Sequence, residues 1–530
     1  MSNFRMKWVR RTGLRALLVV PLLLIGQSCT DLTEVPQDAL TPTNAFHTEA
    51  EVLAGVAGVY AQLRDLDQYW DLDEVTTDEA IVPTRGNDWY DNGAWLELHR
   101  QTWTASSSTA LGTMNNAWNV LFSGVAKANL MIDVITKAGG ANAPKTLAEL
   151  RTLRAWYYFN LLDKFGNVPI VTGTELKQYP SATRSEVFAF VEKELNESRP
   201  LLPTTWGAAG YGRVTQGAAD AILASLYINA GVFSKTTGVS STSYNSCNVP
   251  VSGGTNGCAA AIAAADRVIN SGVYRLNPNW KNNFALDNET SPENIFVIVH
   301  VKEQSLGGNF PMRTLHYNQL NTGWGTPWNG LATLAEAYNA FDPADERRGM
   351  WLQGPQNSFE DGLPAKDRTG ARLDFTIDIP DATQAAEGTG VRFNKFPPLP
   401  NAPSGNGMPN DFTFFRLSEM YLIKAEAELE LGQAGLALAD LNTIHSRHFN
   451  PPQDLAVVNR DAILKERLLE LAGESKRRQD LIRFGKYLNQ WSTTMLNGKR
   501  DQTSKPYLIL FPIPATQISS NPLLKQNPGY

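Results

Sequence analysis

Apolar residues recur at helical spacing through much of this chain. Near its start Val52, Val56, Val59 and Leu63 return every three or four positions, which predicts an amphipathic helix. Similar patterns predict further helices over residues 118–135, 147–162, 185–195, 215–229, 259–270, 415–431, 434–446 and 460–472. Gly432 directly follows one of these segments and is expected to cap it. The hydrophobic pattern therefore predicts a mostly helical protein.

The middle of the chain has a different pattern. Residues 294–301 form a continuous apolar run that is too short for a typical helix, so this run predicts a buried strand. Residues 302–410 are rich in Gly, Pro, Asn and Trp and have little periodicity, which predicts long surface loops. Small residues at presumed helix contacts are typical of tetratricopeptide units, although no regular repeat length is present. The predicted fold class is all-α (mostly helical), a tetratricopeptide-like helical scaffold with long irregular loops and minor strands.

The first residues have the order of an export signal. Five basic residues precede the ten apolar residues 16–25, and Gly26, Gln27 and Ser28 then lead to Cys29. This order is typical of a secretory signal, and the apolar run is too short to span a bilayer of ~30 Å. A cysteine at the cleavage point resembles a bacterial lipobox, in which Cys29 is acylated and becomes the mature N-terminus. An ordinary signal with an incidental cysteine is the alternative, because Gly26 and Gln27 depart from the usual lipobox residues.

The signal also affects charge and organisation. Its removal would lower the formal net charge from −6 to −11, since residues 1–28 carry five basic and no acidic side chains. A strongly acidic body argues against a nucleic-acid partner. The predicted organisation is a lipoprotein signal peptide at 1–28, a lipid-anchored tether at 29–45, and regions at 46–285 and 286–530 that pack as one body.

Two further cysteines and two histidines were considered as metal ligands. Cys247 and Cys258 flank a Gly/Ser/Asn-rich loop, and in an exported protein such a pair predicts a disulfide. His445 and His448 lie three positions apart without a third ligand in view, so they are interpreted as satisfied or solvated side chains. The acidic run at 65–73 lacks the glycine turn of a calcium loop and is interpreted as a solvated segment. The sequence therefore predicts no metal and no other cofactor.

Sequence signatures of enzymes are missing from the chain. It contains no Gly-x-Ser-x-Gly elbow, no His-Glu-x-x-His helix and no glycine-rich phosphate loop followed by Lys-Ser/Thr. These absences favour a binding protein over a catalyst.

Five segments carry motifs that point to one family. They are Arg-x-x-Arg-Ala-x-x-Tyr-Phe from Arg151, Gly-Arg-Val-Thr from Gly212, Arg-Leu-Ser-Glu-Met-Tyr-Leu from Arg416, a Glu-Arg-x-x-Glu-Leu-x-Gly-Glu helix from Ile463, and Leu-Phe-Pro-Ile-Pro from Leu510. In this order, and behind a lipobox, the segments resemble the SusD/RagB family of outer-membrane lipoproteins from bacterial glycan-uptake systems.

The resemblance implies a function and a partner. It implies a protein that is lipid-anchored to the outer membrane, faces the cell exterior, and captures an oligosaccharide or polysaccharide as a lid over a SusC-like, TonB-dependent barrel. The barrel, and not this chain, would perform transport. A peptide-capturing RagB-like protein is the first alternative. A surface glycoside hydrolase is a less favoured one, which would release reducing ends from polysaccharide.

Charged residues inside the amphipathic helices predict a structural network. Their desolvation costs several kcal/mol per ion unless they are paired, so they are interpreted as interhelical ion pairs. The set comprises Arg151, Arg154, Arg416, Glu419, Glu466, Arg467, Glu470, Glu474, Arg478, Asp480 and Arg483. A catalytic role for Glu466 and Glu470 as paired carboxylates is disfavoured, because the resemblance places both in the scaffold.

Two glycine-bearing stretches, at 85–103 and 311–330, are rich in aromatic and amide residues. Sugars present apolar C–H faces rimmed by hydroxyls, so a sugar site needs flat aromatic rings beside amides and carboxylates. The candidate ligand-binding residues are Trp324, Trp328, Trp89, Trp95, Tyr90, Asp88, Tyr317 and Asn321. Trp324 and Trp328 are the leading candidates, with Trp89 and Trp95 as a second wall. The alternative is that each tryptophan only fills space beneath its own loop.

Overall fold

The computed structural model describes residues 46, 48–106, 108–301, 306–321, 325–401, 407–489 and 505–530. The predicted signal, the tether and Cys29 lie outside the described residues, as does Trp324. In the described part, the longer α-helices are α1 (Glu49–Ala61), α2 (Asp67–Glu74), α3 (Ala94–Arg100), α4 (Leu111–Ala138), α5 (Ala143–Lys164), α6 (Arg184–Ser198), α7 (Gln216–Ile228), α8 (Ala230–Phe233) and α9 (Gly257–Ile269). They continue with α10 (Phe310–Thr314), α11 (Ala335–Asn339), α12 (Leu417–Glu430), α13 (Ala434–His445), α14 (Arg460–Leu471), α15 (Arg477–Arg483) and α16 (Ala515–Ser520).

The strands are short and form two-stranded antiparallel pairs. They are β1 (Ala80–Ile81), β2 (Asn294–Ile298), β3 (Ala332–Thr333), β4 (Trp351–Leu352), β5 (Gly354–Pro355), β6 (Asp374–Phe375), β7 (Arg392–Phe393) and β8 (Phe412–Arg416). The pairs are β1 with β3, β2 with β8, β4 with β7 and β5 with β6. Each pair joins segments that are distant in sequence or separated by a loop, so the strands tie the central loops to the helical body.

Local signals explain where several helices begin and end. Thr48 and Thr183 cap α1 and α6, and in both cases a glutamate three residues later completes the capping box. Gly432 follows α12 with a φ of +78°, a left-handed conformation that glycine adopts without steric cost.

The helices pack in series against the β2–β8 pair. The contacts run from α4 to α5, α5 to α6, α6 to α7, α7 to α9, α9 to α12, and α12 to α13 and α14. Trp156 of α5 lies at the junction with the sheet, where its ring contacts Phe296 of β2 and Phe414 of β8 with centroids 5.5 Å and 4.6 Å away. The prediction of a mostly helical, tetratricopeptide-like scaffold with minor strands is confirmed.

The predicted ion-pair network is confirmed as well, and every member of the predicted set makes at least one ion pair. Arg416, fully buried, contacts Glu293, Glu470 and Glu474 at 2.7–2.8 Å, and so joins the end of β8 to α14 and the segment after it. The same guanidinium–carboxylate pairing joins α5 to α6 through Arg154 and Glu194. The remaining pairs involve Arg151, Glu419, Glu466, Arg467, Arg478, Asp480 and Arg483.

The two histidines considered as ligands belong to this network. His445 Nδ1 lies 2.7 Å from Glu466, and His448 Nε2 lies 2.9 Å from Glu470. Both glutamates also contact Arg347, at 2.6 Å and 3.1 Å. Paired in this way, Glu466 and Glu470 are structural residues.

Two sequence interpretations are wrong. The acidic run at 65–73 is not a solvated segment: it leads into α2, where Asp71 contacts Arg313 at 2.6 Å and Asp73 contacts Lys164 at 2.9 Å, with both carboxylates buried. Residues 412–416 form strand β8, although the helix was predicted to begin at residue 415. All five residues of β8 are buried, Thr413 and Arg416 included, and such continuous burial has neither helical nor strand periodicity.

Candidate functional site

Several of the predicted ligand-binding residues come together on one surface, which we name the aromatic face. Its rings are Trp89, Trp95 and Tyr317, and its polar edge is formed by Asp88 and Arg368. Trp89, Trp95, Tyr317 and Asp88 are half-buried, while Arg368 is exposed. The face is carried by the loop before α3, by α3 itself, and by the loops near residues 317 and 368. It joins the two stretches that were singled out in the sequence.

Trp89 is held at the centre of this face. Its φ is +61°, and its indole Nε1 donates a hydrogen bond to the carbonyl oxygen of Trp328 at 2.6 Å. The ring lies over Gly330, where an added Cβ would stand 2.5 Å from Trp89 Cζ2. Trp95 packs edge-on to Trp89 with centroids 5.4 Å apart, and its own Nε1 donates to Asp91 at 2.6 Å. Both indole nitrogens are thus satisfied, and the two rings are fixed as a pair.

The polar edge is an electrostatic cluster around Asp88. The Tyr317 hydroxyl donates to Asp88, and Arg368 contacts the same carboxylate at 2.8 Å while its guanidinium lies 4.0 Å above the Tyr317 ring. The hydrogen bond from Tyr317, followed by Arg368, holds the pKa of Asp88 below its usual value. Desolvation and the Asp88 hydrogen bond raise the pKa of Tyr317 to about 12. At neutral pH, Asp88 is therefore an ionised acceptor and Tyr317 a neutral donor.

Glu387 extends the cluster. It lies 3.4 Å from the Arg368 guanidinium and accepts the Arg368 backbone N–H at 2.9 Å. His316 Nε2 is 2.9 Å from the same carboxylate, and burial lowers the pKa of His316. A neutral histidine and a cation therefore share one glutamate behind Tyr317.

Two buried arginines tie together the loops beneath the aromatic face. Arg85 donates to the carbonyl oxygens of Asn329 and Gly330 at 2.9 Å and 2.8 Å, and to Thr389 at 3.0 Å. Arg392 donates to the side-chain oxygen of Asn329 at 2.9 Å, and also to Thr389 at 2.8 Å. Desolvation lowers the pKa of Arg85 to about 10, and desolvation followed by the Arg85 charge lowers the pKa of Arg392 well below its usual value. The backbone carbonyls thus fix the loop under Trp89 without an ion pair.

The other candidates are placed less centrally. Tyr90 is 57% exposed beside Trp89. Trp328 supplies its carbonyl to Trp89, but its ring packs against the buried Met312 and Leu315, so it partly fills a core. Asn321 is exposed, and its backbone N–H donates to Glu360 at 2.9 Å. Trp324 stays a candidate from the sequence only.

Sequence reasoning missed Arg368, Glu387 and the two buried arginines. Arg85 opens the first aromatic stretch, so its position offered a weak signal. Arg368 and Glu387 lie in a region without periodicity, and their partners are distant in sequence, so no local pattern could identify them.

The remaining predicted features can be located in the described part. Cys247 and Cys258 are joined by a disulfide across their loop. Among the described residues, no group of three or more His, Cys, Asp or Glu side chains is arranged to hold a metal ion. In the same part of the chain, the structure contains no helix with the length and apolar character needed to cross a membrane.

Fold and face together define the class: a helical-repeat scaffold with a loop-borne surface of aromatic rings and paired charges. A family model described as "SusD family" matches residues 292–530, and one described as "Starch-binding associating with outer membrane" matches residues 34–228. The chain belongs to the SusD/RagB family.

Individual relatives extend over most of the chain. The starch-binding protein SusD of Bacteroides thetaiotaomicron is 26% identical over 509 residues, covering 86% of this chain and 84% of the relative. SusD-like protein P25 of Formosa agariphila is 23% identical and covers 95% of this chain and 97% of its own length.

Solved structures with the same fold include two with glycan names. A laminarin-binding SusD-like protein superposes with a TM-score of 0.71 at 23% identity, covering 92% of this chain and 100% of the other. Surface glycan-binding protein A from Bacteroides thetaiotaomicron, in complex with laminarihexaose, gives 0.70 at 21% identity, covering 90% and 99%. At this identity the superpositions establish the shared fold.

Proposed function

We propose that this protein is a surface-exposed outer-membrane lipoprotein that captures an oligosaccharide or polysaccharide on the aromatic face and delivers it to a SusC-like, TonB-dependent transporter. The observation that carries the glycan part is the aromatic face itself. Trp89, Trp95 and Tyr317 offer apolar ring surface, while Asp88 and Arg368 offer an acceptor and donors at its edge. Sugar rings present this combination of C–H faces and hydroxyls.

The relatives support a glycan over a peptide. One relative, SusD of Bacteroides thetaiotaomicron, is named for starch, and two proteins of similar structure are named for laminarin or laminarihexaose. Hydrogen bonds that sugar hydroxyls donate to an ionised carboxylate or accept from a guanidinium are charge-assisted and therefore stronger than neutral ones. A RagB-like peptide ligand is the alternative, and a peptide library is the second panel to test if no glycan binds.

The charges of the face favour binding without hydrolysis. A glycosidase needs a carboxylic acid whose pKa is raised, so that it can protonate the leaving oxygen. The pKa of Asp88 is held low, and Arg368 bridges Asp88 and Glu387. Incubation with each bound polysaccharide should therefore release no reducing ends, and their release would contradict the proposal.

Membrane attachment and partnership rest on the lipobox and the family. Acyl chains on Cys29 would anchor the protein, because each buried CH₂ contributes ~0.8 kcal/mol. Purification in mild detergent at native expression should therefore yield this protein together with a large outer-membrane barrel. Recovery of the single chain alone would contradict the transporter partnership.

Calorimetric titration tests the site. Wild-type protein is titrated with soluble laminarin and starch oligosaccharides, and the strongest ligand is then used with the variants Trp89→Ala and Trp95→Ala. Loss of a stacked, desolvated ring should cost on the order of 2 kcal/mol, hence about 30-fold in affinity. Trp328→Ala should have a smaller effect on affinity, because its ring packs against the cluster of Met312 and Leu315 and its backbone carbonyl, which holds Trp89, is retained. Thermal melts of all three variants separate a loss of affinity from a loss of stability, since Trp89 and Trp95 also pack against the core.

Trp206→Ala is the matched control. Trp206 is another half-exposed tryptophan, stacked 3.6 Å from Arg213 and outside the aromatic face. Its replacement should leave glycan affinity unchanged. If Trp89→Ala and Trp95→Ala both bind as tightly as wild type while remaining folded, the glycan site lies elsewhere.

A further inference from the structure

A groove runs along α1 and shares no residue with the aromatic face. Its central cavity of about 520 Å³ lies between α1 and residues 297–299, and we name the whole feature the α1 groove. It shares Leu53 and Val56 with a neighbouring cavity of about 410 Å³, and Arg64 and Leu306 with another of about 290 Å³. The three cavities therefore form one elongated depression.

An open strand edge borders this groove. β2 pairs with β8 on one side, and within the described residues no strand pairs with its other side. Three consecutive residues, 297–299, line the groove. Consecutive side chains of a strand point to opposite faces, so a groove that touches all three meets the strand at its edge.

The direction of the backbone groups follows from one hydrogen bond. Arg64 Nε donates to the carbonyl oxygen of Val299 at 3.2 Å, so this carbonyl points toward α1 and away from β8. In an extended strand, the N–H and C=O of one residue point to the same side, and the pattern repeats two residues away. Val299 directly follows the last residue of β2, and the next residue, His300, donates its backbone N–H to Asp411 at 2.7 Å on the β8 side. The alternation therefore places the backbone groups of Val299 and Val297 on the groove side.

The groove is lined by aliphatic side chains together with Tyr60, Tyr211, Trp206 and Arg213, and Arg64 lies on its wall. Leu53, Tyr211 and Leu306 at its rim are 57%, 38% and 38% exposed, which is unusual for large apolar side chains. Arg64 is half-buried, and among the described residues it forms no ion pair with a carboxylate; its hydrogen bond goes to the Val299 carbonyl. A guanidinium has five N–H donors, and in the described part of the chain Arg64 uses one of them, so the others remain for a bound carboxylate.

The nearby acidic groups do not occupy that capacity. At the end of the groove, Asp65 accepts a hydrogen bond from Gln62, and Asp67 lies 3.6 Å from Arg313. Asp411 affects Arg64 only through its charge. Desolvation lowers the pKa of Arg64, and the negative charge of Asp411 opposes this shift.

We propose that the α1 groove binds an extended segment of the transporter partner, which adds as a strand to the free edge of β2, places apolar side chains between Leu53 and Leu306, and sets a carboxylate on Arg64. Strand addition supplies affinity through the main chain and specificity through alternate side chains. A peptide is favoured over a sugar because the edge of β2 offers main-chain donors and acceptors, which an added strand would pair. This inference rests on the proposed transporter partnership.

The experiment uses the barrel that co-purifies with the full-length protein. Overlapping peptides covering the water-exposed segments of that barrel are arrayed and probed with purified protein, and the binding peptide is then titrated. The expected peptide alternates apolar residues and carries an acidic one. Arg64→Gln should weaken its binding about tenfold, whereas the matched change Arg64→Lys should weaken it less.

Two further variants test the strand edge. Val299→Pro removes the outward N–H and should abolish peptide binding, while Val299→Thr keeps the N–H and should retain it. Leu53→Gln should also weaken binding, and Leu176→Gln, at a fully exposed position outside the groove, should not. Thermal melts identify any variant that fails to fold, and Leu53→Gln then carries the test, since its side chain is mostly solvent-exposed.

The outcomes separate this inference from the proposed function. If the barrel co-purifies equally with wild type and with the Arg64 and Leu53 variants, and no peptide binds, the groove assignment is overturned and the partnership stands. If no barrel co-purifies with wild type, both the partnership and the occupant are overturned, whereas glycan affinity is unaffected. A groove occupied by a second copy, seen as a dimer that Leu53→Gln dissociates, would also overturn the assignment.

Discussion

The buried carboxyl pair of Glu74 and Glu79 should make the stability of the folded protein depend on pH. Both side chains are nearly inaccessible, with 1% and 4% exposure. Glu74 accepts the backbone N–H of Ser475 at 2.7 Å, and Glu79 accepts that of Gly473. Desolvation raises the pKa of Glu79 to about 7, and desolvation together with the nearby Glu79 charge raises that of Glu74. At a pH between about 4.5 and about 7, the pair therefore keeps a proton that a solvent-exposed glutamate would lose.

The sign of the effect follows from linkage. An unfolded glutamate ionises near pH 4.5, whereas folded Glu79 keeps its proton up to about pH 7. Its contribution to stability is thus full below pH 4.5 and is lost as the pH rises to about 7. The difference of roughly 2.5 between the two pKa values corresponds to about 3 kcal/mol.

Other groups titrate in the same window and must be subtracted. Burial lowers the pKa of His300 to about 4, which adds stability as pH rises, and burial raises that of Asp411 to about 6, which removes it. The charges that act on the glutamate pair itself are Asp73, Asp78 and Arg477. Comparison with a variant therefore isolates the contribution of the glutamate pair to the pH dependence of stability.

Urea unfolding of wild type and Glu79→Gln at several pH values, from about 5 to about 8, measures the contribution. The amide oxygen can still accept the Gly473 N–H, and the amide nitrogen can donate to Glu74, but the side chain no longer titrates. The variant should gain about 3 kcal/mol relative to wild type across this range. The exposed control Glu175→Gln should follow wild type throughout. Parallel curves for wild type and Glu79→Gln would refute the reasoning.

Three further predictions concern the scaffold, the face and the anchor. Arg416→Met removes the guanidinium that three buried glutamates share and should lower the free energy of unfolding by about 3–5 kcal/mol in urea; an unchanged midpoint would contradict the network. Gly330→Ala puts a Cβ 2.5 Å from Trp89 Cζ2 and should weaken glycan binding about tenfold in calorimetry, whereas Gly435→Ala, in open space, should not. Cys29→Ala should leave the body folded and abolish labelling by a tagged fatty acid; a labelled variant would exclude the lipobox.

The helices were predictable because their burial is periodic, and the errors arose where burial is not periodic. The segment predicted at 185–195 is observed as Arg184–Ser198, and the one at 434–446 as Ala434–His445. In β8, by contrast, all residues are buried, and only the pairing with β2 distinguishes the strand from the helix that follows it. That pairing partner lies more than a hundred residues earlier, so no local window contains the information.

The aromatic face was half predictable for a related reason. A tryptophan in a glycine-bearing, polar loop is visible in the sequence, and Trp89 and Trp95 were identified in that way. The role of Trp328 was not visible, because the division between its carbonyl, which holds Trp89, and its ring, which fills a core, depends on tertiary packing. Arg368 pairs with Asp88, which lies 280 positions earlier in the sequence. Charge partners at such a separation leave no pattern in either segment.

The acidic run at 65–73 shows that a buried charge depends on partners from distant parts of the sequence. A row of aspartates looks solvated when its neighbours in sequence are considered alone, but Arg313 and Lys164 come from distant segments and neutralise Asp71 and Asp73. The two buried arginines under the aromatic face differ, since they donate to backbone carbonyls and to the Asn329 amide oxygen in place of carboxylates.

This arrangement has a consequence for binding. The backbone carbonyls of Asn329, Gly330 and Thr389 are fixed by Arg85 and Arg392, so the loop that supports Trp89 is ordered before any ligand arrives. Association costs less when the contacting side chains and loops are already immobilised. Burying two guanidiniums without a carboxylate partner costs stability, because each charge loses its hydration. Their position beneath the rings fits a preorganised surface, which is what the proposed capture of a rigid sugar ring on the aromatic face requires.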